Sequence, residues 1–182
     1  MSQPNIKLST ADLAEKHAKE LPPIPAGSLM VCLHNIRSMH NVGSAFRSAD
    51  AFAVSKLLLT GYTPHPPRIE ISKTALGADE WVEWEHQSDA LATFERYKED
   101  GWTLVAVEQT VRSVPMPAGI PDPSLHKVML IFGNEVLGLD EEVIALCDHV
   151  ADIPQYGKKH SLNVSVSIGI ALFAAHQRSV QG

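Results

Sequence analysis

Cysteine is scarce in this chain, with only Cys32 and Cys147 among 182 residues. The two lie far apart, no Cys-x-x-Cys occurs, and the nine histidines have no spacing suited to zinc. A disulfide framework and a metal centre are therefore not expected. Each thiol sits in an apolar run and should be buried as a small hydrophobe. Also missing is any apolar run long enough to span a bilayer. Residues 1–21 carry charge throughout and lack the apolar core of a signal peptide, so a cytoplasmic location is expected. Positive charge is short as well: 15 Lys and Arg stand against 21 Asp and Glu, for a net charge of −6. An indiscriminate nucleic-acid binder would be basic. The balance weighs against that class and leaves room for a local basic patch.

Two nucleotide fingerprints are absent too. No Gly-x-Gly-x-x-Gly occurs, which removes the dinucleotide reading. Gly133 and Gly138 resemble the glycines of a phosphate loop, but Leu139 and Asp140 follow where Lys and Ser or Thr are needed. Glu135, between those glycines, would also repel a phosphate.

What is present fits one globular domain with a real core: 45% of residues are hydrophobic and 20% charged. Residues 9–21 suit a short helix, capped by Ser9 or Thr10, with Asp12 at its positive end. Pro22, Pro23 and Pro25 then form a stiff link, so residues 1–27 are an arm and 28–182 the main domain. Beyond it, strands and helices alternate. Strands are expected at 29–33, 56–60, 103–107, 128–132 and 150–153, the fourth being the most apolar and central. Helices are expected at 41–52, 89–100, 140–147 and 161–178, with Asn41, Asp140 and Ser161 as candidate caps. Residues 62–68 and 113–123 should be loops rich in proline. Such alternation gives an α/β fold with a mainly parallel sheet flanked by helices.

In open α/β sheets, ligands sit where strands end. The glycines after residue 132 either let backbone approach a neutral or cationic ligand, or form a plain turn with Glu135 solvated. After residue 153 come Gly157, Lys158, Lys159, His160, Ser161 and Asn163. Ser161 alone reads as a helix cap, with Asn163 in the first turn. Near the start, His34, Arg37, His40 and Arg47 make the densest cationic cluster of an acidic chain. Arg47, beside Ala45 and Phe46, is either a surface charge or partly buried and paired.

Together these segments resemble a family. Asn35-x-Arg37-Ser38-x-x-Asn41-x-Gly43-x-x-x-Arg47 is similar to the first motif of the SpoU (TrmH-like) RNA ribose methyltransferases, in the SPOUT class. Ile131-Phe132-Gly133-Asn134-Glu135-x-x-Gly138-Leu139 resembles the second, and Ile153-Pro154 through Ser161-Leu162-Asn163 the third, in the family's order. The resemblance covers residues 28–178. It implies a C-terminal deep trefoil knot, rare among proteins. It implies S-adenosyl-L-methionine as cofactor, held by Val107, Gly133, Ile153 and Leu162, mostly through backbone and apolar contacts. It implies a homodimer in which Arg47, with Asn41, completes the partner's site, while Glu135, Ser161 and Asn163 line the same cleft. The substrate implied is a ribose 2′-hydroxyl of RNA, with tRNA ahead of rRNA and with no metal or membrane. Arg37, Arg47, Lys158 and Lys159 become the expected RNA contacts, with Arg68, Lys73 and Arg112 as further phosphate candidates. Arg47 is often cast in this family as general base. A guanidinium stays protonated, so phosphate binding and charge stabilisation suit it better. The rivals are a non-catalytic RNA-binding member and a base methyltransferase of the same class.

Overall fold

The structure, a computed structural model, describes residues 6–20 and 24–181. Leu21, Pro22 and Pro23, the end of the expected helix and most of its link, lie outside the described residues. The arm helix α1 spans Thr10–Glu20. Its start is closed by a reciprocal pair, in which the Ser9 backbone N–H donates to Asp12 (3.0 Å) and the Asp12 N–H to the Ser9 hydroxyl (3.3 Å).

The main domain runs β1 (Leu29–His34), α2 (Met39–Ala51), β2 (Lys56–Thr60), α3 (Ile69–Ala75), a single 3-10 turn (Ala78–Glu80), β3 (Trp84–Gln87) and α4 (Ala90–Glu99). It continues with β4 (Trp102–Val107), β5 (Val114–Pro115), β6 (Lys127–Phe132), α5 (Glu141–Leu146), β7 (His149–Asp152) and α6 (Val164–Gln181). The seven strands form one sheet in the order β3-β2-β1-β6-β4-β7-β5. Every pairing between them is parallel. The apolar strand at 127–132 takes the central place, as expected.

The inner strands β1, β2, β4 and β6 are largely apolar because both faces are covered. In β1, Leu29, Val31 and Leu33 point to one core, shared with Val42, Ala45, Phe46 and Ala49 of α2 and with Ile168, Ala171, Leu172 and Ala175 of α6. Met30 and Cys32 point to the other, against Phe94 and Tyr97 of α4 and Val143 of α5. Burial of each large side chain contributes about 1.5–3 kcal/mol. Cys32 is fully buried and Cys147 partly so. Desolvation pushes the Cys32 thiol far up and the Cys147 thiol up to about 12, so both stay protonated and inert at neutral pH.

Three helix starts differ from expectation in which side chain does the capping, while α4 begins where expected. Helix α2 begins two residues early, and Ser38 rather than Asn41 is its cap, accepting from the Asn41 N–H at 3.2 Å. Asp140 holds the cap position of α5, but its carboxylate makes no capping bond and turns to His34 Nε2 at 2.9 Å. His34, buried at the end of β1, reaches Thr60 through Nδ1 at 2.9 Å. Helix α6 starts at Val164, three residues late. Asn163, not Ser161, caps it, its Oδ1 accepting from the Ser165 N–H at 2.8 Å. In α4, Asp89 caps by accepting from the Ala92 N–H at 3.1 Å. Residues 69–88, where no element was expected, hold α3 and β3, and the loop at 113–123 contains the two-residue β5.

Because the sheet is parallel, the segments following β1, β4, β6 and β7 leave from one edge. One consequence of the strand order matters for the site. β7 follows β4, β5 and β6 in sequence yet lies between β4 and β5, inside the connection that leads from β4 to β6.

Candidate active site

The segment after β6 is shaped by its own backbone. Asn134 and Gly138 exchange N–H to carbonyl bonds at 3.0 and 2.9 Å, which closes a tight loop. Gly133 must be glycine for that reason: a Cβ there would stand 2.3 Å from the Gly138 carbonyl carbon. Gly138 has φ +71°, and a Cβ would meet the Glu108 carboxylate at 2.4 Å. Asn134 is buried and fully used. Its Oδ1 accepts from the Val136 and Leu137 N–H groups, and its Nδ2 donates to the Asn35 carbonyl and the Tyr62 hydroxyl, each at 2.9 Å.

Glu135 is exposed yet not a free turn carboxylate, and it does not pair with Arg47. Its carboxylate accepts from the Arg37 N–H (3.0 Å), the Ser38 N–H (3.0 Å) and the Asn41 side-chain amide (2.9 Å). Burial opposes ionisation, but these hydrogen bonds outweigh it and hold the carboxyl below the usual glutamate range. Asn41 passes the connection on, accepting from Asn163 Nδ2 at 3.2 Å. A hydrogen-bonded chain Glu135–Asn41–Asn163 thus ties the first motif segment to the second and third, 94 and 122 residues away in sequence.

Beside this chain lies a cleft of roughly 270 Å³ between the ends of β4, β6 and β7. All four expected cofactor residues, Val107, Gly133, Ile153 and Leu162, line it, together with Glu135 and Ser161. Its walls mix apolar side chains with loop backbone, as a small-molecule site requires. Glu108 lines it too and was not among the expected residues. Its carboxylate accepts from the Leu139 N–H at 3.1 Å and the Gln109 N–H at 2.8 Å. Its signal in the sequence was an acidic residue directly after a strand, where a nucleoside hydroxyl or a cation can be met. Gln109 closes the far side by donating to the His160 carbonyl at 2.9 Å.

The expected RNA contacts stand outside this cleft. Arg47 lies on the exposed side of α2 and makes no hydrogen bond or ion pair with any described residue, which corrects the option of a buried, paired arginine. Lys158 and Lys159 are exposed on the irregular segment before α6. Arg37, Arg68, Lys73 and Arg112 are exposed as well. Among the described residues no group of His, Cys, Asp and Glu is arranged to hold a metal, and no helix is long and apolar enough to cross a membrane.

Known proteins are similar to this chain in sequence and fold. The chain is 31% identical over 157 residues to a tRNA (guanosine(18)-2′-O)-methyltransferase of Aquifex aeolicus, covering 85% of this chain and 72% of that protein. It is 28% identical over 152 residues to the 23S rRNA (guanosine-2′-O-)-methyltransferase RlmB of Neisseria meningitidis, covering 84% of this chain but only 59% of that protein's length. Among solved structures, the A. aeolicus TrmH/SpoU tRNA modifying enzyme superposes with a TM-score of 0.77 at 27% identity, over 93% of this chain and 85% of the other. An AdoMet-bound rRNA methyltransferase from Sinorhizobium meliloti does so with a TM-score of 0.74 at 27% identity, over 87% of this chain and 61% of the other. The profile of the SpoU rRNA Methylase family matches residues 28–173, and with its parallel sheet and three converging motif segments the chain belongs to that family.

Proposed function

We propose that the protein transfers a methyl group from S-adenosyl-L-methionine to a ribose 2′-hydroxyl of RNA, with tRNA the first choice of substrate and rRNA the second. The observation that carries this is the cleft in which Val107, Gly133, Ile153 and Leu162 meet beside the Glu135–Asn41–Asn163 chain. The cleft suits the cofactor: apolar edges face an adenine, and the Glu108 carboxylate can accept from ribose hydroxyls or face a positive charge. When bound, the cofactor supplies an electrophilic methyl on a sulfonium. The protein's part is to align the hydroxyl oxygen with that methyl, exclude water and favour loss of the hydroxyl proton. Glu135, Asn41 and Asn163 orient the reacting groups, Ser161 offers a hydroxyl at the cleft wall, and Arg47 binds phosphate and stabilises charge developing on the oxygen. A tRNA relative supports the first substrate, and an rRNA relative the second.

The working unit is a homodimer in this reading. Val166, Ile170 and Phe173 of α6 form an exposed apolar stripe at helical spacing, which a second copy would cover. Arg47, without a partner among the described residues, would reach the other subunit's cleft. Residues 28–182 are the catalytic domain, with the arm at 1–27 outside the family match, and the chain acts in the cytoplasm without a metal. The β7 strand lodged between β4 and β5 supports the trefoil knot.

The test is calorimetric titration with S-adenosyl-L-methionine, followed by mapping of 2′-O-methyl positions in RNA from a deletion strain. Leu162→Arg is the control, because Leu162 is exposed on the cleft wall and its replacement spares the fold. Wild-type binding, loss in the variant and a missing 2′-O-methyl mark are expected. A folded wild type that binds no cofactor would favour the non-catalytic RNA-binding reading, and a missing base methyl would favour the base-methylating one.

A further inference from the structure

A second groove, of roughly 540 Å³, opens on the other side of the Asn134 loop, at the ends of β1, β2 and β3. Arg37, Tyr62, His65, Arg68 and His86 line it, and no acidic side chain does, in a chain whose net charge is −6. Neither guanidinium makes a hydrogen bond or ion pair with any described residue; only backbone groups are engaged, the Arg37 N–H by Glu135 and the Arg68 carbonyl by the Ile71 and Ser72 N–H groups. The aromatic rings are arranged as a platform. His65 stacks on Trp84 at 5.7 Å and 21°, and His86 lies tilted against His65 at 4.7 Å and 40°. Tyr62 is well exposed along its ring, while its hydroxyl is held by Asn134.

The histidines also have a defined polarity. His65 Nδ1 donates to the Pro66 carbonyl at 2.7 Å and His86 Nε2 to the Gly61 carbonyl at 3.0 Å. In each neutral ring the other nitrogen is then left as an acceptor. The groove therefore offers two cations, the exposed ring of Tyr62 beside the half-buried His65, and two acceptor nitrogens. Phosphate is met by the first, a base by the second, and base N–H groups by the third.

We propose that this groove is a nucleotide subsite for the substrate RNA. It holds the base of an unpaired nucleotide beside the methylated ribose on Tyr62 and His65, and its phosphate on Arg37 and Arg68. The proposal rests on the RNA-methylation reading above. Its place follows from the wall the two cavities share: Asn134 bonds Tyr62 from the cofactor side, and Glu135 bonds the backbone of Arg37. A nucleotide seated here is next to the one whose ribose enters the cleft. The subsite also answers the charge problem, because the grip on RNA is local rather than spread over an acidic surface.

The experiment is fluorescence anisotropy of a labelled, mixed-sequence, short single-stranded RNA with the full-length protein, across a range of salt. Arg68→Glu should weaken binding roughly tenfold or more and reduce the salt slope by about 1. His65→Ala should weaken it several-fold with the slope unchanged, as loss of stacking does. Both variants should keep the wild-type melting temperature and affinity for S-adenosyl-L-methionine. Wild-type RNA affinity in both variants would overturn the subsite and leave the methyltransferase reading standing. So would binding of free nucleoside monophosphates in the groove, seen through Trp84 fluorescence, with RNA affinity indifferent to both changes. A wild type that binds no RNA, with or without the cofactor, would sink both readings together. If His65→Ala alone melts early, the exposed Arg68 variant decides.

Discussion

Glu135 shows how one side chain can have two jobs. Its carboxylate takes three hydrogen bonds from the start of α2 and so pins the first motif segment to the second. A depressed folded-state pKa has a definite sign in stability. The unfolded carboxyl titrates near 4.3. The bracing is present above that pH and is lost as pH falls through the folded value. Wild type should therefore melt above Glu135→Gln at pH 7, with the gap closing below about pH 4. A gap that widens on acidification would contradict this account. Arg47 gives the second test at this scale. If it acts as a charge, Arg47→Lys should retain part of the methyl transfer measured with tritiated cofactor, while Arg47→Ala falls to background. Equal loss in both, with RNA and cofactor still bound, would require a role for the planar fork or for proton transfer.

Among elements, the loop from β6 to α5 is the most constrained. Gly133 lies against the backbone of Gly138 and Leu139, so the smallest added side chain must push the loop open. Gly133→Ala should destabilise by about 2 kcal/mol or more and weaken cofactor binding in parallel, both readable by thermal melting with and without ligand. A stable variant that loses only the cofactor would mean that the glycine serves the ligand instead. The sequence made β1, β2, β4 and β6 legible because each is a largely apolar run between two cores, and β7 through its short Val150-Ala151 centre. β3 was not, since its Trp-Glu-His-Gln is half-buried at a sheet edge and alternates weakly. β5 has two residues, too few for any pattern. Helix α3 has seven residues, also too few for a clear period. The caps failed for a different reason. Ser161 and Asn163 are both good caps, and only Asn41, more than a hundred residues away, selects Asn163. The same holds for Glu108, whose place in the cleft depends on strand order rather than on its neighbours in sequence.

At the scale of the molecule, the exposed stripe of α6 and the unpartnered Arg47 make one joint prediction. Phe173→Asp should sediment as a monomer where the wild type is a dimer, and should lose methyl transfer. Mixing inactive Arg47→Ala with inactive Leu162→Arg should restore roughly a quarter of the wild-type rate, because half of the dimers are mixed and each holds one intact site. No restoration after subunit exchange would mean that Arg47 serves its own chain.

The late arrival of β7 also has a meaning for synthesis. A ribosome makes the chain from residue 1 upward, yet the walls of the cleft are drawn from β4, β6 and the segment after β7. A nascent chain that has already laid down β1 to β6 still has a vacant slot between β4 and β5. It also lacks Ile153, Ser161 and Leu162, and Asn163, which locks onto Asn41. The candidate cleft is therefore completed late in translation, after much of the sheet can already pair, and its closure reports that the last strand has found its slot.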